Sequence, residues 1–274
     1  MTVILDDGER VADLPSDPAT AARVVRIDGY ADLRGYAHPL PALRRIDGWA
    51  ILRDYAHALP DGLTVGGSLY MRGCTALTTL PPGLTVGGAL DLSGCTGLTT
   101  LPPGLTVGSW LNLSGCTGLT ALPDDLTVRG SLSLSGCTGL TTLPPGLTVG
   151  ASIDLSGCTA LTALPDGLTV AGRIVLTGCT GLTTLPPGLT VGGALDLSGC
   201  TGLDRYCVGR DKRNYAFFGI PMRDGPHVVA GCRNFTGAQA LAHWGPGGES
   251  DRPDCLALAQ KAIALAERVI GDRP

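Results

Sequence analysis

A cysteine returns every 21 residues along most of this chain, at Cys74, Cys95, Cys116, Cys137, Cys158, Cys179 and Cys200. Leu-Pro pairs beginning at Leu59, Leu80, Leu101, Leu122, Leu143, Leu164 and Leu185 keep the same interval. A strict period of this length predicts stacked coils, because one such unit cannot bury its apolar face alone and must share a core with its neighbours. Within the phrase "ALDLSGCTGLTTLP", Leu90 and Leu92 alternate with Asp91, the period-two pattern of a half-buried strand. Ser93 and Gly94 allow a bend, and Cys95, Leu98 and Leu101 then turn inward. Pro102 and Pro103 bar a helix interior. "LTV" is a second, shorter alternation, with Leu84 and Val86 in and Thr85 out, and Gly87 and Gly88 permit a tight corner between the two. The 41 glycines and 20 prolines are punctuation at fixed positions, not low complexity.

The repeat starts before the cysteines do. "RIDGYADLRGYAHPLP" and "RIDGWAILRDYAHALP" lie 19 residues apart, with Gly29 matching Gly48 and Leu33 matching Leu52. Tyr36 and Tyr55 hold the cysteine position in these shorter coils. The reading is therefore an N-terminal cap over residues 1–21, with "TVILDD" as a capping strand, then a solenoid of about nine coils over 22–203 and a C-terminal module over 204–274.

The phrase "LxLxxCxxLxxLP" resembles the cysteine-containing leucine-rich repeats, and its Leu-Pro ending resembles the short repeats of bacterial leucine-rich-repeat proteins. The likeness covers about residues 59 to 203 in strong form. It implies a leucine-rich-repeat-type parallel β-solenoid; with the small ββαα C-terminal cap that the residues after Leu203 predict, the expected fold is α+β, mostly β. It also implies protein binding on a concave face, although repeats of this kind serve many tasks. Gly87 stands where the family places the first leucine of its strand, so a straighter, two-stranded β-solenoid is the close alternative.

Four uses of the cysteine line compete. Coils stack at about 4.8 Å, and parallel Cβ vectors at that spacing do not suit a disulfide. A zinc site needs four ligands converging on a point, not a line. A reactive thiol needs access and a lowered pKa. An inward ladder of small, weakly donating apolar side chains satisfies the pattern without those requirements, and no metal or cofactor is expected. His38 and His57 are equivalents one coil apart, for which a surface or cap role is expected over shared metal binding.

After Leu203 the period stops. "YAFFGI" and "HVVAGCRNF" predict an antiparallel hairpin around "PMRDGP". Thr236 fits the cap of a short helix, and Asp251 and Pro253 fit the start of another, with Leu256, Ala259, Ile263, Ala266 and Ile270 on one face. Such a module covers the open end of a solenoid. Cys232 and His243 raise the alternative of an effector-like enzyme, with the repeats as substrate adaptor and this module as catalyst, but no orienting third residue is visible.

The outward strand positions differ between coils. One column reads Tyr30, Trp49, Ser68, Ala89, Trp110; the next reads Asp32, Ile51, Tyr70, Asp91, Asn112; the third reads Arg34, Arg53, Arg72, then Ser93 and Ser114. Arginines stacked at strand spacing repel one another, and arginine and aromatic residues dominate binding hot spots. Tyr30, Arg34, Trp49, Arg53, Tyr70, Arg72 and Trp110 are thus the candidate partner-binding residues. The competing reading is that Asp32, Asp54 and solvent satisfy the arginines. A net charge of −4 argues against a chain that coats nucleic acid or an anionic membrane. The N-terminus lacks the basic and apolar regions of a secretory signal, so a reducing cytoplasm is the expected setting. No nucleotide loop or nucleophile triad appears. The expected function is a non-enzymatic scaffold that binds a protein partner, an acidic one if the arginines carry the contact.

Overall fold

Each coil contributes two short strands joined by a glycine corner. A computed structural model describes the chain except residues 54, 56, 187, 211–215, 223, 224, 231, 232, 247, 249–251 and 272–274. It is a mostly β, parallel solenoid of about eight turns with helices near the C-terminus. Two compact units divide it: Met1–Leu140 with Gly146–Ala151, and Thr141–Pro145 with Ser152–Pro274.

In the first unit, the strand pairs Thr64–Val65, Thr85–Val86, Thr106–Val107, Thr127–Val128 and Thr148–Val149 stack in register as one parallel ladder. Arg45–Ile46 and Val24–Asp28 extend it toward the N-terminus. There Thr2–Leu5 adds antiparallel to Val24–Asp28, and Arg10–Val11 adds to Thr2–Leu5. The expected capping strand is thus present, and the antiparallel turn ends the stack. A second parallel ladder runs through Ala31–Asp32, Ala50–Ile51, Leu69–Tyr70, Leu90–Asp91, Leu111–Asn112 and Leu132–Ser133.

The two-strand coil has a physical cause at the corner. A Cβ on Gly87 would lie 2.2 Å from the Gly66 carbonyl oxygen of the coil before, while the Gly87 amide donates to Val65 at 2.9 Å. At this corner backbone stacks on backbone, and glycine gives the closest approach. Arg129 and Ala171 hold the same position in other coils, and the Arg129 amide keeps the corner bond to Val107 at 3.1 Å, so glycine is the common choice there and not a strict requirement. The second bend needs glycine for another reason: Gly94, Gly115 and Gly136 sit at φ 73°, a left-handed conformation that L side chains rarely adopt.

The second unit carries Ile153–Asp154, Ile174–Val175 and Leu195–Asp196 in one parallel ladder and Thr169–Val170 with Thr190–Val191 in another. A 3-10 turn, Thr201–Tyr206, leads into four antiparallel strands, Cys207–Arg210, Ala216–Met222, Gly225–Ala230 and Arg233–Thr236. The hairpin anticipated from the sequence is the central pair, but "HVVAGCRNF", read as one of its strands, is itself two paired strands, Gly225–Ala230 and Arg233–Thr236. With Cys207–Arg210 on the other side, the module has four strands before its helices where two were expected. Helix Gly237–Trp244 begins with a capping box in which Thr236 Oγ1 accepts from the Gln239 amide and Gln239 Oε1 accepts from the Thr236 amide.

Helix Pro253–Gly271 buries Cys255, Ala259, Ala262 and Ala266, with Leu256 and Ile263 only partly covered. The expected face was Leu256, Ala259, Ile263, Ala266 and Ile270; Ala259 and Ala266 lie in the buried stripe, and Cys255 and Ala262 replace the larger residues in it. Small ones sit there because a Cβ on Gly219 would lie 2.1 Å from the Ala262 carbonyl oxygen, so the helix backbone rests directly on the sheet.

Candidate protein-interaction face

The strand alternation sets the face. Leu90 and Leu92 are buried while Asp91 between them is half-buried, and the same holds for Leu111, Asn112 and Leu113. Residues preceding the inward leucine therefore form an outward column, in which the small Ala89 is covered by its neighbours. Tyr30 and Trp49 occupy its first two rungs, 49% and 41% exposed, with ring centroids 4.8 Å apart and planes 13° from parallel. That separation is the coil spacing itself, so the backbone stack holds the rings in contact. Trp110 stands in the same column and is 37% exposed. Among the described residues, five large hydrophobics are exposed, and three of them are these.

The next two columns follow a local rule. An acid or amide in the middle column accepts from the residue two positions later. Ser93 N donates to Asp91 Oδ1 at 3.0 Å. Ser114 donates its amide at 3.0 Å and its hydroxyl at 2.7 Å to Asn112 Oδ1. In the second unit Ser156 does the same to Asp154, and Ser198 N donates to Asp196. These are Asx turns, in which a short side chain closes the bend.

In the first coil the same rule ties an arginine. Arg34 donates its amide and Nε to Asp32 Oδ1, and Nη2 to Oδ2 at 2.5 Å. This bidentate pairing holds the Asp32 carboxyl below its ordinary range. In the next two coils Ile51 and Tyr70 replace the acid. Among the described residues, no carboxylate bonds to Arg53 or Arg72, and both are exposed. Asp54, the other acid considered from the sequence, lies outside the described residues. Arginines of the opposite ladder behave differently: Asp47 receives both Arg26, at 2.6 Å, and Arg45, at 2.5 Å.

The ladder cysteines from Cys95 to Cys200 lie in the interior, and Cys74 is partly exposed. Cys95, Cys116 and Cys137 are fully buried, and each thiol donates to a carbonyl of the preceding coil: Met71 at 3.1 Å, Leu92 at 3.2 Å and Leu113 at 3.1 Å. Each of those carbonyls also accepts from the amide of the cysteine in its own coil, as Leu92 does from Cys95 at 3.1 Å. A buried carbonyl has two lone pairs, and the thiol fills the second one from the next coil. In the second unit Cys179 and Cys200 repeat this on Leu155 and Leu176, both at 3.0 Å. Burial pushes the thiols of Cys116 and Cys179 up to about 11 and those of Cys137 and Cys200 up to about 12. Such groups are poor nucleophiles at neutral pH.

The tyrosine coils use the same position differently. Tyr36 donates its hydroxyl to the Pro15 carbonyl at 2.7 Å, and Tyr55 donates to that of His38 at 3.4 Å. His38 and His57 bind the Ser16 and Ala37 carbonyls through Nε2 at 2.9 and 2.8 Å, which gives each a structural role one coil from its partner.

One feature escaped the sequence reading. Where the 19-residue coils meet the 21-residue coils, a groove of about 560 Å³ opens, lined by Tyr55, His57, Met71, Cys74 and Leu77 among others. Cys74 and Leu77 are partly exposed there, whereas Cys95 and Leu98 in the next coil are sealed. The signal was the change of interval: the shorter coil leaves its longer neighbour's return segment partly uncovered.

Within the C-terminal module, His243 is buried, stacked on Phe235 at 5.0 Å and edge-on to Trp244 at 5.1 Å. Its Nε2 lies 3.3 Å from Arg233 Nη1. Cys232, its proposed catalytic companion, lies outside the described residues.

Comparison with protein-family models, with curated proteins and with solved structures returned no match.

Proposed function

We propose that the protein is a non-enzymatic interaction scaffold of leucine-rich-repeat type. It binds a protein partner with an acidic contact surface through the outward face of its first coils. The contact residues are Tyr30, Arg34, Trp49, Arg53, Tyr70 and Arg72, with Trp110 at the margin. The observation that carries this reading is the concentration of exposed aromatic surface in one column beside exposed arginines. Exposed apolar surface of this kind, rimmed by polar groups, marks interaction sites, and rigid rings lose little conformational freedom on binding. The ladder of thiols supports a reducing compartment, the cytoplasm, and the Leu-Pro repeat phrase supports a bacterial origin. In this reading the C-terminal module caps the solenoid and does no chemistry.

An affinity capture with the full chain tests the proposal. Replacing Arg34, Arg53 and Arg72 with Ser removes partner capture and leaves the melting temperature within about 2 °C of wild type, since exposed charges contribute little to stability. Capture at wild-type level by the triple variant sinks the proposal.

A further inference from the structure

We infer that Arg53 and Arg72 form an oxyanion-binding site on the outward face, and that Asp32 withholds Arg34 from it. The inference rests on the partner-binding reading and adds the chemistry recognised. Ile51 pairs with Tyr70 across adjacent coils, so the arginines two residues beyond each sit one coil apart, about 4.8 Å along the stack. Like charges on side chains that leave neighbouring coils in the same column repel. Arg34 is relieved by a carboxylate two residues earlier, Asp32. Arg53 and Arg72 follow Ile51 and Tyr70 instead, side chains that offer no carboxylate. Asp91, paired with Tyr70 in the next coil, is the acid nearest Arg72 in the stacked strands; it accepts from the Ser93 amide and forms no ion pair with Arg72. An anion that lies across both arginines supplies what the coil omits, with planar forks suited to oxygen pairs. Tyr70 and the Tyr30–Trp49 stack flank the site, so the anion arrives on a segment that also carries apolar or aromatic surface. A phosphoryl group and a pair of neighbouring carboxylates share this chemistry.

The test uses the full chain and two probes, inorganic phosphate and a tetraglutamate peptide, followed through the arginine Nε–H resonances. The wild type gives saturable shifts at Arg53 and Arg72 with at least one probe, weakened by added salt; the probe that saturates at lower concentration identifies the source. The double variant Arg53→Gln/Arg72→Gln loses affinity by at least about tenfold, roughly the loss of one charge-assisted contact. The double variant Ile51→Asp/Tyr70→Asp keeps both arginines yet loses affinity by a similar factor, because each new acid occupies the arginine two residues on. Asp91 holds that position in a folded coil, so this variant is expected to fold, and its melting temperature checks it. Asp32→Asn gains affinity by roughly threefold as Arg34 is released. Absence of saturable shifts with both probes overturns the inference, and so does unchanged affinity in Ile51→Asp/Tyr70→Asp. A separate variant, Tyr30→Ala/Trp49→Ala, keeps anion binding and loses partner capture. Failure of the anion site therefore leaves the aromatic partner face to be judged by this variant, and capture retained at wild-type level in it counts against the partner face independently.

Discussion

The coils that carry tyrosine at the inward position and those that carry cysteine solve the same stacking problem with opposite consequences for the surface. From Cys95 to Cys137 the thiol fills the second lone pair of a carbonyl one coil back. Most outward positions there are serines or acids that close their own turns, and little is left over for a partner. In the tyrosine coils a ring replaces the thiol, the coil loses two residues, and the outward columns change to aromatics and arginine, a change that continues through Tyr70 and Arg72 of the first cysteine coil. The comparison teaches that repetition and function occupy different coils. A side chain repeated in register serves the stack, and the departures are where free chemistry collects.

The sharpest way to break the comparison is alkali. A thiol held at about 11 or 12 in the fold, against an ordinary value of 9.0, keeps its proton more tightly when folded than when unfolded. Its contribution is fully present below pH 9 and declines as pH rises toward 11 to 12, where the folded form also ionises. Each thiol removes about 1.4 kcal/mol per pH unit across that window, so several together unfold the cysteine coils. Denaturant melts from pH 8 to 11 should show a steep fall beginning near pH 9, and a flat profile to pH 10.5 contradicts the buried ladder.

Next in size is Tyr55→Ala. The ring is buried, with its hydroxyl pushed up to about 12 by burial, and its removal is expected to cost about 3–5 kcal/mol. Cys116→Ala removes a smaller group and its bond to Leu92, for about 1–3 kcal/mol by urea denaturation. A Cys116→Ala cost below about 0.5 kcal/mol would show the thiol to be filler and not a donor. Smallest is Asp91→Ala, which opens one half-buried Asx turn and should cost about 0.5–1 kcal/mol, with no change in partner affinity.

Much of this was legible in the sequence because a repeat averages out local ambiguity. Seven copies placed Leu90, Leu92 and Cys95 inside and Asp91 outside, where a single copy would leave helix and strand hard to separate. The capping strand and the Thr236 helix cap were also legible, since each rests on local chemistry. What escaped depends on neighbours. The close approach at Gly219 shifted the buried stripe of the last helix to Cys255, Ala259, Ala262 and Ala266, because hydrophobic weight does not reveal how near two backbones lie. The groove beside Cys74 arises from two coils of unequal length, a property of neither alone. Within the candidate face, the arginine column was visible, but its division was not. That Arg34 is tied while Arg53 and Arg72 are not follows from the residue two positions earlier, once the bend brings the two together.

The most direct test of this division of labour is a hydrogen-exchange footprint of the full chain with and without its captured partner. The account predicts slowed exchange confined to residues 28–72, the first three coils and their outward strands. Slowing centred on the serine coils between 90 and 200, or on the C-terminal module, contradicts it.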